Sequence, residues 1–195
     1  MDLQGLTPAS MVRVLKWAGG ITLMMTMLSN VFRGPLFRTF FHFDDLRERH
    51  AGRAVHALSG PNGTSGEVPP PVEDCIDRAL EETARLLEFT TGAALNDAAG
   101  TRANGKANCI GYAALFQDRC RRRLDSAGLA DEWHVLHLRG RLFCGTFDTH
   151  RLFSSRFWKD HDICAVVGRN SGRRVFVDPS LFDAARIRRV SGPTN

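Results

Sequence analysis

Residues 108–124, NCIGYAALFQDRCRRRL, decide how the chain is read. Asn108 is a strong helix N-cap, and Cys109 opens the helix behind it. Arg121, Arg122 and Arg123 gather near the other end, where positive charge suits the macrodipole. A cysteine in a first helical turn lies near unpaired backbone N–H groups, whose partial positive charge favours thiolate over thiol. Gly105, Gly111, Ala113 and Ala114 are small neighbours that leave room for close packing or for a substrate chain. Taken alone, a cysteine in an apolar helix is usually a small buried hydrophobe. To act as a nucleophile it needs a base, and the base needs an orienting group.

Downstream of Gly128 the period changes from helix to strand. EWHVLHLRGRLFCGTF (132–147), HDICAVVG (161–168) and RRVFVDPSLF (173–182) read as strands separated by glycine or polar turns. Asn170, Ser171 and Gly172 suggest a hairpin between the last two. Alternation puts His161, Ile163, Ala165 and Val167 on one face, and Asp178 ends the next strand before Pro179. Two adjacent antiparallel strands could then set His161 beside Asp178, which would fix the imidazole tautomer. As alternatives, His161 reads as an ordinary strand-end residue and Asp178 as a turn former before proline. His134 and His137 would point to opposite faces of a strand and make a poor metal pair. His150 lies in a loop context without a partner strand.

Upstream, VEDCIDRALEETARLLEFTTG (72–92) has prolines before it, acids in its first turn and Gly92 after it, the marks of a strong helix. Ile76, Leu80, Ala84 and Leu87 recur at helical spacing and give it a core face that Cys75 borders. The run SGPNGTSGEVPPP (59–71) reads as a linker, and the mixed stretch from Phe40 to Leu58 as an amphipathic helix. Trp17 to Phe32 carries no charge and is flanked by Arg13, Lys16, Arg33 and Arg38. That run falls somewhat short of a bilayer span, which it would reach marginally from Val12 with snorkelling flanks. A membrane anchor, an uncleaved or cleaved signal, and a core or interfacial helix all stay open for residues 12–32. The domain division expected is a helical N-terminal segment at 1–58, a linker at 59–71 and a main domain at 72–195. Helices followed by a mainly antiparallel sheet make an α+β fold.

Composition is that of a globular protein, 43% hydrophobic and 24% charged. The net charge of +5 divides unevenly: the first hundred residues are net acidic and the remainder net basic. No aromatic-interleaved basic motif accompanies the arginines, so nucleic acid is not expected as a partner. The runs Arg119–Arg123 and Arg186–Arg189 read as solvated faces. Five cysteines, odd in number and without a CxxC pair, suggest neither a dense disulfide framework nor a zinc ribbon. Cys144 and Cys164 fall in strands as packed residues. Location is left open between membrane-associated and cytoplasmic.

A helix-opening Cys, then a strand-opening His, then an Asp-Pro turn resembles the transglutaminase-like superfamily, a papain-related cysteine protease fold. The segments that carry the resemblance are NCIGYAALF (108–116), HDICAVV (161–167) and VFVDPSLF (175–182), and it spans roughly residues 72–183. It implies a transglutaminase-like core with Cys109, His161 and Asp178 as the triad. The implied activity is acyl chemistry on protein or peptide substrates, with no cofactor or metal. Protease, amidase or deamidase action is favoured over cross-linking. Members often carry an aromatic two residues after the His, where Ile163 stands here, and papain-type relatives place a Gln upstream of the Cys. The only glutamines are Gln4 and Gln117, so an oxyanion would rely on the Cys109 N–H with Asn108 or Asn104. These departures keep a second reading in view, a catalytically inactive binding module of the same fold, held at a membrane by residues 12–32.

Overall fold

A computed structural model describes residues 33–49, 68–92, 94–152 and 160–193. Residues 33–40 are helical (α1) and lead directly into strand β1, Phe41–Glu48. Helix α2 (Pro70–Leu86), a two-residue strand β2 (Glu88–Phe89), helix α3 (Ala98–Asn104), strand β3 (Lys106–Ala107) and helix α4 (Cys109–Ser126) follow. Strands β4 (Trp133–Cys144), β5 (Phe147–Asp148), β6 (His161–Gly168) and β7 (Arg174–Val177) precede helix α5, Pro179–Ala185. The architecture is α+β, with an antiparallel sheet in the order β1-β4-β6-β7 and β5 added on β4.

Alternation along β4 and β6 divides the interior in two. Val135, Cys164 and Val166 face α2 and α4, meeting Ile76, Leu80 and Phe116. Leu138, Ile163 and Ala165 turn the other way and pack with Phe43, Leu46 and Val190. Val190 pairs with Phe176 of β7 while Ser191 pairs with His42 of β1. The Val190 N–H donates to the Phe176 carbonyl at 3.0 Å and the Phe43 N–H to the Ser191 carbonyl at 2.9 Å. One short segment thus fastens both edges of the sheet, which must curl around the second core to permit it.

The expected helix over 40–58 is a strand in its described part. β1 pairs with β4 from Phe41↔Cys144 to Glu48↔Leu138, with a bulge between Asp44 and Arg47. Asp45 takes a left-handed backbone there, φ 51°, as asparagine and aspartate do more readily than other side chains. The bulge shifts the phase, so Phe43 and Leu46 both reach the core although three residues apart. That spacing imitates a helix. Gly140 makes the bulge possible: a Cβ there would overlap the Leu46 side chain and lie 3.0 Å from the Asp44 carbonyl oxygen.

The boundary at 59–71 changes accordingly. β1 belongs to the same sheet as the main domain, and α2 already begins at Pro70, with proline in its first turn. At its other end α2 stops at Leu86, not Gly92, because Leu87 turns extended and Glu88–Phe89 pairs in parallel with Lys106–Ala107. Residues 12–32, the segment considered for a membrane, and 59–67 of the linker lie outside the described residues. Among the described residues no helix is long and apolar enough to cross a membrane.

The arginine runs are not simply solvated. Arg119 and Arg123 pair with Glu82 across α2 and α4. Arg188 reaches Asp77 and Glu81, and Arg189 reaches Glu73 and Asp77. Much of the acidic-then-basic asymmetry of the chain is therefore matched internally, α2 against the C-terminal half.

Candidate active site

Asn108 caps α4 as its type suggests. Its Oδ1 accepts the Ile110 N–H at 3.1 Å and the Gly111 N–H at 3.3 Å, and its carbonyl accepts the Tyr112 N–H. The Cys109 N–H, at the first helical position, has no intrahelical carbonyl to meet. Gly111 lets this turn sit against α3 and β3, since a Cβ there would fall 2.8 Å from Ala107 Cβ and 2.9 Å from Thr101 Oγ1. The thiol of Cys109 is held in a largely enclosed position, 5% exposed.

His161 opens β6 opposite Gly140 in β4, and the Phe43 ring stacks on its imidazole at 5.6 Å between centroids. Its Nε2 lies 2.6 Å from Asp178 Oδ2. The Cys109 thiol lies near enough to the imidazole to help raise its pKa. With Nε2 turned to Asp178, Nδ1 is the nitrogen left for sulfur. Asp178 is fully buried and caps α5: its Oδ1 accepts the Ser180 N–H (3.0 Å), the Ser180 hydroxyl (2.7 Å) and the Leu181 N–H (3.0 Å). The Asp-Pro-Ser turn thus spends one oxygen on its own helix and presents the other to the imidazole.

Electrostatics follow from this placement. Burial alone would push the His161 pKa down, but the Asp178 carboxylate and the Cys109 thiol outweigh it and hold the value well above the ordinary imidazole range. Burial would raise Asp178, yet His161, Ser180 and the Leu181 N–H hold it below the usual carboxylate range. The other interior thiols are suppressed: burial raises Cys75 and Cys164, and pushes Cys120 up to about 12.

Cys109, His161 and Asp178 are brought together from α4, β6 and the β7–α5 turn. No family model, no curated protein and no solved structure matches the chain. Of the expected oxyanion donors, Asn108 has its side-chain oxygen committed to the cap, and Asn104 Nδ2 donates to the Lys106 carbonyl at 3.3 Å. Gln117 Nε2 donates to the Val135 carbonyl. His134 is half-buried and His137 buried; His150 falls in the short turn Thr149–Leu152, its side chain outside the description. Among the described residues no group of three or more His, Cys, Asp or Glu is arranged to hold a metal ion.

Two further contacts had no sequence signal, because their partners lie far apart in the chain. Tyr112, one turn beyond Cys109, donates to Asp183 Oδ2 at 2.7 Å. His137, weighed in the sequence only as a metal partner of His134, instead shares the buried carboxylate of Asp162 with Arg49.

Proposed function

We propose that the chain is a cysteine-dependent enzyme of transglutaminase-like type acting on amide or peptide substrates. The observation that carries this is the convergence of Cys109, His161 and Asp178, with His161 Nε2 held 2.6 Å from Asp178 Oδ2 and the Cys109 thiol near the same imidazole. In the proposed cycle the thiol proton passes to His161, and sulfur attacks the substrate carbonyl carbon. The tetrahedral oxyanion falls toward the Cys109 N–H, the donor left over by the helix cap. Collapse expels the amine, which takes the proton from His161, and leaves a thioester. Water, deprotonated by His161, then releases the acid and restores the thiol; an amine in its place would give transfer. Hydrolysis is preferred here over cross-linking, with a protein or peptide as substrate and no cofactor or metal in any step.

One observation favours the second reading, a transglutaminase-like module used for binding without turnover. Two side-chain amides that could serve an oxyanion donate elsewhere: Asn104 Nδ2 to the Lys106 carbonyl and Gln117 Nε2 to the Val135 carbonyl. Turnover of peptide and glutaminyl substrates by the wild-type chain and by Cys109→Ala separates the two. Activity lost in Cys109→Ala supports the enzyme; equal, background rates for both proteins would leave only the binding module.

A further inference from the structure

We propose that Asp162, clamped by Arg49 and His137, is a positioning residue that holds His161 in line with Cys109. The proposal rests on the triad reading above and deepens it.

β6 is least supported where the base stands. Its ladder with β7 begins at Cys164↔Val177, so among the described residues His161, Asp162 and Ile163 are paired on the β4 side alone. The β4 partner of His161 is Gly140, which offers no side chain, and beyond it lies the β1 bulge. A strand end of this kind opens locally at little cost. Asp162 supplies what the ladder lacks. Its carboxylate is 2% exposed, takes Arg49 Nη1 at 2.8 and 3.0 Å, and takes His137 Nε2 at 3.0 Å. Arg49 follows β1 and His137 belongs to β4, so three strands are pinned at a point one residue from the base. Neighbouring residues of a strand project to opposite faces. Fixing the side chain of residue 162 therefore fixes the roll of the backbone that aims the imidazole of residue 161.

The nearest same-face residues on β6, Cys164 and Val166, are packed with apolar neighbours, and a buried ion pair is commonly no better than an apolar filling of the same space. Its distinctive contribution is direction. Displacing a catalytic group by about 1 Å is enough to cost on the order of 100-fold in rate.

The test uses the full chain and reads the iodoacetamide alkylation rate of Cys109 from pH 5 to 9, the NMR titration of the His161 ring, and urea unfolding. Asp162→Asn should stay folded, alkylate between about 10- and 100-fold more slowly at pH 6–7, and show an altered His161 titration. Arg49→Lys should keep the rate within about threefold, because both Arg49 contacts come from the single atom Nη1 and one ammonium replaces them. Arg49→Ala, at a residue 27% exposed, repeats the measurement if Asp162→Asn fails to fold, with the same slowing expected. A folded Asp162→Asn or Arg49→Ala protein with the wild-type rate, pH profile and His161 titration overturns the proposal while leaving the triad intact. A wild-type Cys109 no more reactive than a free thiol overturns the triad, and this proposal with it.

Discussion

The Tyr112 hydroxyl lies 2.7 Å from the carboxylate of Asp183, so the helix that carries Cys109 is tied to the helix that Asp178 caps. Burial, with Asp183 beside it, pushes the phenol far above its ordinary pKa, and the hydroxyl remains a donor at any working pH. Tyr112→Phe should lower stability by about 1.5 kcal/mol, the lower end for a hydrogen bond to a charged group, because Asp183 keeps partial access to water. Urea midpoints at unchanged m-value check this, and a cycle with Asp183→Asn should show coupling between the two sites. Additive losses would mean that the contact does not tie the helices.

Cys109 should be the fast thiol. Burial holds Cys75, Cys120 and Cys164 in the thiol form, which leaves half-buried Cys144 as the competing site. In a Cys144→Ser background, iodoacetamide at pH 6–7 should label one cysteine at least about tenfold faster than a free thiol. His161→Ala should abolish the advantage. Peptide mapping that found the label elsewhere would count against the triad.

The His161–Asp178 pair should give stability a window in pH. His161 is raised in the folded state, so its contribution is whole below the unfolded imidazole value of about 6.5 and fades as pH climbs through the folded value. Asp178 is lowered, so its contribution is whole above the unfolded value of about 3.9 and fades as pH falls through the folded one. The stability difference between wild type and Asp178→Asn should therefore be largest between about pH 4 and 6.5 and shrink on both sides. Denaturation at several pH values measures it; a difference flat across that range would contradict the pairing.

Gly140→Ala should damage both the sheet and the site. The new methyl meets Leu46 at the β1 bulge directly across from His161. An overpacked contact of this kind costs about 1–3 kcal/mol. Because the strain falls beside His161, Cys109 alkylation should slow as well, whereas Gly34→Ala, where a Cβ meets nothing within 4 Å, should leave the alkylation rate unchanged.

The parts of this fold that could be read ahead of the structure are those whose signals are local. Asn108 and Cys109 announce a helix start, Asp178–Pro179 announces the end of a strand, and alternation along 161–167 separates two faces; helix α5, Pro179–Ala185, takes up residues that read as the continuation of that strand segment. β1 was opaque because its bulge gives Phe43 and Leu46 a helical spacing, and only Gly140, far along the chain, reveals why. The end of α2 was misplaced for a similar reason: the two-residue pairing of β2 with β3 overrides a helix-favouring sequence. Within the site, the type and order of Cys109, His161 and Asp178 were visible. The supports were not, since Arg49, His137 and Asp162 look like scattered surface charges until three strands converge.

The closing segment at Val190–Ser191 has a consequence for how the molecule comes into being. Phe41 must wait for Cys144, and His42 for Ser191, so the sheet is built from contacts remote in sequence and its assembly should be slow relative to that of the helices. During synthesis the helix bearing Cys109 emerges well before the strand that brings His161, and before the residues that fasten Phe43 behind it. A growing chain therefore carries the Cys109 thiol before His161 can stand beside it, and the two meet only once the sheet has closed.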